Sequence, residues 1–418
     1  MRSSRLNTFA LRKLNAPSIY FFLCGASNLF FNMIFTINLV YQATTVGLNP
    51  FQLVLVGTVL ELTVFIFEVP TGVVADVYSR RLSVVIGFAL IGLGFIVEGS
   101  FATFAAVLTA QVIWGIGATF TSGATEAWIT DETGSEQVGT IFLRATQIGQ
   151  VMGIIGTGIS VMLASIDIRL PIVLGGFSLI GLALFLLIFM PEDGFHPASA
   201  ADRTTWRSMT GTIREGIWLV RRRHTLIIIL VLTAISGMSS EGYDRLWRAH
   251  LLENFDLPAL GQMQPIVWFG IINVIGALLS LVSSEIIRRR LDLTRDRVIT
   301  RTLTLLYIVK IAAVVGFSLA GNFALALTAL WTVSLLSPIG ALFMTWQNRH
   351  IESNVRATVI SMSAQTDALG QIAGGPIIGA TGTLFSLQVA IALSGLILSP
   401  AVALFIRASR TATSGHQS

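Results

Sequence analysis

Cysteine is almost missing from this chain. The one present, Cys24, leaves no intramolecular disulfide and no cysteine-built metal centre to expect. Histidine is scarce as well. The five, at His196, His224, His250, His350 and His416, are scattered without ligand spacing, so no metal site is expected. Charge is the third shortage: 12% of the 418 residues are charged, against about 25% in a soluble domain. Hydrophobic residues make up 53% and the mean hydropathy is +0.76. Water alone cannot solvate that balance, so part of the surroundings must be lipid. There is no Walker-type Gly-Lys-Ser/Thr, no phosphate loop and no nucleophile–base pairing. Neither an enzyme, nor a cofactor, nor ATP drive within the chain is expected.

What is present is a series of long apolar runs. A helix needs ~20 apolar residues to cross the hydrocarbon core. Twelve such runs occur, at roughly 18–42, 51–76, 82–103, 105–130, 140–164, 170–190, 224–247, 263–287, 298–319, 322–346, 356–380 and 384–406. The first is too long for a signal-peptide core and has no convincing cleavage site, so it is read as retained. The net charge of +5 follows topology rather than nucleic acid. With the N-terminus in the cytoplasm, inside segments hold 23 of the 27 Lys and Arg. Arg169, Arg245 and Arg248 fall outside and Lys310 lies within a span. Both termini are therefore expected in the cytoplasm.

The longest polar interruption, 191–223, divides the spans six and six. The expected domains are 1–190, a linker over 191–223, and 224–418. Within the linker, Trp206, Ile213, Ile217 and Val220 have near-helical spacing over about 204–222, with Arg207 and Arg214 between them. A basic amphipathic helix on the inner leaflet is expected there. The halves also echo each other. Asp76 precedes Arg80 and Arg81 as Glu285 precedes Arg289 and Arg290, and 148-IGQVMG-153 is matched by 369-LGQIAG-374. Two related bundles with a site between them near the midplane are a known transporter plan.

The stretch 68-EVPTGVVADVYSRRLSVV-85 places Gly72, Asp76, Arg80 and Arg81 between the second and third spans. Together with the six-plus-six layout, it resembles the major facilitator superfamily. That family's signature reads roughly Gly-x-x-x-Asp-x-x-x-(Arg/Lys)-(Arg/Lys), and here Ser79 stands where a second Gly is usual. The phrases 122-SGATEAWITDE-132 and 190-MPEDGF-195 resemble its bacterial drug-exporter-like branch. The resemblance implies an all-α membrane protein of twelve transmembrane helices in two six-helix bundles, the major facilitator fold. It implies a monomer in the bacterial plasma (inner) membrane, working by alternating access. It also implies that Gly72, Asp76, Arg80, Arg81 and Asp131 form a cytoplasmic conformational latch. Asp76 would sit at the N-terminal end of span eleven, and an arginine would pair with Asp131 at the inner end of span four.

Ionisable residues inside spans are functional candidates. Glu61 and Asp367 lie near mid-membrane, Glu68 lies in the inner third, and Lys310 is a candidate counter-ion; these four are the proton-coupling candidates. Glu98, Glu126, Glu241, Asp244 and Arg245 also fall within or at the ends of spans. Asn28, Asn32 and Thr36 make a polar stripe four residues apart. In the family, spans one, four, seven and ten line the cavity. Gln111 and Trp114, Ser236 and Met238, and Trp331 and Ser334 would then complete it. Gln111 stands where the family often has Arg. Drug antiporters of the family carry Gly-Pro in span five, and here it falls in span eleven as Gly375-Pro376.

The leading expectation is a secondary transporter exporting apolar or drug-like small molecules in exchange for protons, multidrug efflux by proton antiport. Its partners are a small-molecule substrate, a proton and the lipid bilayer, with no nucleic acid. Proton-coupled nutrient or metabolite uptake is the alternative within transport. A transport-inactive receptor or scaffold is the alternative of another class.

Overall fold

A computed structural model describes residues 15–197, 224–261, 264–351 and 356–414. Eight helices precede the interruption: α1 (Ala16–Phe35), α2 (Asn38–Thr44), α3 (Pro50–Val77), α4 (Arg80–Ser100), α5 (Phe104–Thr121), α6 (Ala124–Thr133), α7 (Ser135–Ala164) and α8 (Leu170–Phe189). Eight more follow it: α9 (His224–Asn254), α10 (Val267–Arg290), α11 (Asp296–Ser318), α12 (Phe323–Leu335), α13 (Ile339–His350), α14 (Arg356–Leu384), α15 (Leu387–Leu396) and α16 (Ser399–Ser414). The amphipathic helix expected over 204–222 lies outside the described residues.

Local chemistry sets several boundaries. Asn49 opens α3 with a reciprocal capping box to Gln52, followed by Pro50 at the first turn. Ser79 caps α4, accepting from the Leu82 N–H at 2.9 Å. The breaks also have causes. Gly123, at φ 67°, separates α5 from α6. Pro338 stands between α12 and α13, where a proline cannot continue the hydrogen-bond ladder.

Among the described residues, eleven stretches are long and apolar enough to cross a membrane, by length and composition. Twelve were expected. The one that falls short is α14, a full 29-residue helix at the eleventh expected position. It carries Ser361, Ser363, Gln365, Thr366, Asp367 and Gln371, which lower its hydropathy. Such a helix is better suited to protein neighbours than to lipid.

Three apolar cores organise the packing. One is built wholly from residues of the first half, around Trp128, Phe95 and Ile34. A second belongs wholly to the later half, around Trp346, Phe405 and Tyr307. The third joins the halves, placing Ile37, Val40, Leu53 and Val54 against Leu246, Trp247, Phe269 and Ile378.

The two sequence echoes have structural counterparts. In the first half α7 lies against α1; in the second, α14 lies against α9. Small residues permit both crossings. A Cβ at Gly156 would stand 2.2 Å from the Leu29 carbonyl oxygen, and one at Gly370 would stand 2.4 Å from that of Ala234. At Gly158, one helical position away from the contact, a Cβ would meet nothing within 4 Å. Gly156→Leu is therefore expected to destabilise the protein by about 1–3 kcal/mol, the usual cost of overpacking. Gly158→Ala should leave the unfolding temperature in detergent unchanged, and equal effects of the two would contradict this packing.

Candidate functional site

The halves meet at one end of the molecule. There Phe51 N–H donates to Thr383 Oγ1 at 3.0 Å, and Arg248 Nη2 donates to the Phe35 carbonyl at 3.4 Å. The Glu241 carboxylate packs directly onto Gly57 of α3, where any Cβ would collide with it. Gly375 meets Thr58 in the same region. At the opposite end, Gly72 faces open space: among the described residues, nothing lies within 4 Å of where its Cβ would be. The contacts between the halves named here thus gather at the end holding α2.

Near the α2 end lies a cavity of about 670 Å³. Phe35, Trp114 and Trp247 supply aromatic wall, and Glu61, Glu241, Asp244, Arg245 and Arg248 supply charge of both signs. Arg245 Nε donates to Glu241 Oε1 at 2.9 Å. Arg248 lies 4.3 Å over the Trp247 ring, a cation–π contact. These pairings engage both arginines. Glu61 lies in the field of Glu241, Arg245 and Asp367, and Asp244 in that of Lys310, Glu241 and both arginines. Lys310 therefore acts on Asp244. The partner of Asp367 is Gln371, whose Nε2 donates to Oδ2 at 2.9 Å and which itself lines the cavity. Glu68 accepts from Ser122 Oγ at 3.0 Å, where α5 gives way to α6.

A second cleft, about 250 Å³, is walled by amides and hydroxyls: Asn28, Asn32, Gln150, Thr157, Asn273 and Ser280. Asn273 also lines the charged cavity and a third space of about 340 Å³ that includes Ser334. Other residues of the expected lining are placed differently. Thr36 is buried at the α1–α7 crossing, donating to the Asn32 carbonyl at 2.7 Å and facing Thr157. Gln111 is buried and donates to Glu98 at 3.2 Å. Ser236 Oγ lies 3.2 Å from the Tyr307 hydroxyl, and Met238 packs against Gly374. Trp331 is half-buried, and its Nε1 is buried without a hydrogen-bond partner among the described residues.

Arg80 Nη1 pairs with Asp131 Oδ2 at 2.8 Å, linking the start of α4 to the end of α6. Glu192 joins this corner, accepting from Ser79 Oγ at 2.7 Å and from the Arg81 N–H at 3.0 Å. Trp128 Nε1 donates to the Pro191 carbonyl at 2.6 Å, and the Gly194 N–H donates to Glu132 at 2.7 Å. All of these contacts stay within the first half and the start of the linker that follows it. Asp76 is half-buried near the end of α3. The second half repeats the corner with the signs exchanged: Asp296 at the start of α11 pairs with Arg349 at the end of α13, at 2.7 Å.

Three features escaped the sequence reading. Arg245, read at the outer end of span seven, and Arg248, read in an outer loop, both stand on α9 at the cavity wall. Asn273 had no signal beyond being polar in an apolar run. Glu98 was noticed only as a charge within a span, and its buried partners could not be read from their distant positions.

Residues 21–375 match the Major Facilitator Superfamily, and the chain belongs to that family. It is 23% identical over 343 residues to an uncharacterized MFS-type transporter, YxaM, of Bacillus subtilis (strain 168), spanning 81% of this chain and 82% of that protein. Among solved structures, the nucleoside transporter NupG superposes with TM-score 0.72 at 15% identity, covering 96% of this chain and 99% of that one. A bacterial homolog of the human lysosomal transporter Spinster, inward-facing and unoccupied, gives TM-score 0.71 at 14% identity, covering 96% and 98%. A POT family transporter in complex with 5-aminolevulinic acid gives 0.68 at 14%, covering 95% and 96%. At these identities the solved structures speak for the fold.

The Arg80–Asp131 corner can be tested by exchange. Asp131→Asn is expected to cost about 1 kcal/mol, the upper range for a partly exposed pair. Arg80→Asp combined with Asp131→Arg should recover most of it, because the second half already holds the reversed polarity. Thermal unfolding of the purified variants checks this, and a double variant no better than the single would contradict it.

Proposed function

We propose that this chain is a secondary active transporter that exchanges protons for small cations with an apolar or aromatic body. The observation that carries the reading is the 670 Å³ cavity, where aromatic wall and acidic side chains meet. Both cavity arginines are engaged, one by Glu241 and one by Trp247. Glu61 and Asp244 are left as the acids that face the space. An amine or quaternary cation would lie against Phe35, Trp114 and Trp247 and neutralise those carboxylates. A proton does the same, so the two ligands compete for one site. Competition of this kind is antiport: the cation leaves where protons are abundant. With the proton gradient directed inward, the direction is export.

With the Arg-rich end placed in the cytoplasm, the contacts between the halves at the α2 end lie on the outer side, which supports an inward-facing state. Both termini are then cytoplasmic, in a bacterial inner membrane, and the two halves, 1–190 and 224–418, rock about the cavity. Asp367, hydrogen-bonded to Gln371 at its wall, is the second candidate for carrying the proton. Uptake of a polar nutrient has one observation in its favour, the amide-lined cleft around Asn28, Asn32 and Asn273. An inert scaffold has none, since acids within spans are costly to retain, at about 2.5–3.5 kcal/mol for a charge at a helix centre.

The test uses purified protein in liposomes with a trapped pH dye, an imposed pH gradient, and tetraphenylphosphonium, tetracycline and neutral sugars as probes. Cation-triggered proton movement is expected. Glu61→Gln and Asp367→Asn should each reduce it about tenfold or more, equivalent to roughly 1.4 kcal/mol. Proton movement triggered by sugars and not by cations would replace this reading with the uptake one.

A further inference from the structure

Glu98 has no part in the cavity chemistry above, yet it is completely buried in α4. Gln42 Nε2 donates to its Oε1 at 2.6 Å and Gln111 Nε2 to its Oε2 at 3.2 Å. The Asn38 side chain stands beside the carboxylate, and the Tyr41 hydroxyl donates to the Glu98 backbone carbonyl at 2.9 Å. The carbonyl oxygens of the same three amides, Asn38 Oδ1, Gln42 Oε1 and Gln111 Oε1, are buried without hydrogen-bond partners among the described residues. A carboxamide can present either end. The cage can therefore hold the carboxylate with N–H donors, or the protonated acid with a C=O acceptor after one amide turns over. A purely structural carboxylate has no use for the second arrangement.

Two of the three amides stand on α2, the short outer piece of span one. The start of the same piece builds the contact between the halves, with Ile37 and Val40 in the shared core. The charged and titratable groups acting on Glu98 and its cage come from several elements. They are Arg245 of α9, Tyr41 of α2, and through Tyr41 the loop residues Asp167 and Arg169. Arg245 belongs to the opposite half and is shared with Glu241.

We propose that Glu98 is a second proton-binding site, occluded in the closed state and operated by the outer gate. When the halves part at this end, Arg245 withdraws, water reaches the cage, and Glu98 takes a proton from the outer solution. When they close, Arg245 returns and the proton leaves to water in the cavity, whose wall Asn38 shares. The inference rests on the proton-coupled reading above and adds a site that the substrate does not touch.

Spin labels at Thr45 and Phe385, in a Cys24→Ser background, report the outer gate of the full chain in lipid nanodiscs without substrate. The outward-open population is expected to grow as the pH falls, and Glu98→Gln is expected to lose that dependence. If Glu98→Gln keeps the full response, the Glu98 proposal is overturned while proton coupling stands. If the wild-type gate ignores pH, both readings fall. A response to sodium at fixed pH that disappears in Glu98→Gln would make this a cation site and overturn the proton assignment. Gln111→Leu guards against a folding artefact: it removes one donor to the ionised form, so the midpoint should move up by about one pH unit. An unmoved midpoint in a folded Gln111→Leu protein counts against the proposal.

Discussion

Every charge inside this bundle has to be held by another polar group, because lipid offers none. That constraint explains where the ionisable residues stand. Five of them, Glu61, Glu241, Asp244, Arg245 and Arg248, line the cavity where the halves meet. The first half contributes Glu61 to this lining, and the second contributes two acids and two arginines on α9. Glu241 and Arg245 pair within α9, but their place is against Gly57 of α3, and Arg248 reaches the Phe35 carbonyl across the gap. Breaking one partner from a buried ion pair is far more costly than the pair is worth. The closed end is thus held by polar contacts that can be exchanged for water when it opens, and an alternating-access carrier requires that exchange.

The two halves solve the same packing problem with related chemistry. Glycines let α1 meet α7 and α9 meet α14 at backbone distance. At the far end, an acid–arginine pair fixes the first turn after each short loop, Arg80 with Asp131 and Asp296 with Arg349. The sign reversal between them shows that attraction across the corner is what matters, not which side supplies the positive charge. These pairs tie neighbouring elements together within each half.

Most of the architecture could be read in advance because its signals are local. Long apolar runs mark spans, arginine-rich turns mark one side, and Gly72, Asp76, Arg80 and Arg81 mark the family. The Arg80–Asp131 pair was expected from the family resemblance, not from a local signal. The site was less legible, because its groups come from distant positions. Glu61 and Asp367 stood out as acids in apolar helices. That Lys310 acts on Asp244, that Thr36 and Gln111 are buried in helix contacts, and that Gln42 meets Glu98 depend on tertiary placement. Arg248 fell outside the expected span because α9 continues to Asn254, about two turns past the end of the apolar run. The shortfall of α14 in hydropathy comes from its own polar residues, of which Ser363 is buried and Asp367 and Gln371 bond each other.

The central claim is that a cation and a proton compete for the acids of one cavity. The most direct test is to bind tetraphenylphosphonium to purified protein in weakly buffered detergent solution and to follow protons released as the cation binds. The account requires proton release on binding, an affinity that falls as the solution is acidified, and loss of the release in Glu61→Gln. Binding that releases no proton and holds its affinity across the pH range would contradict it.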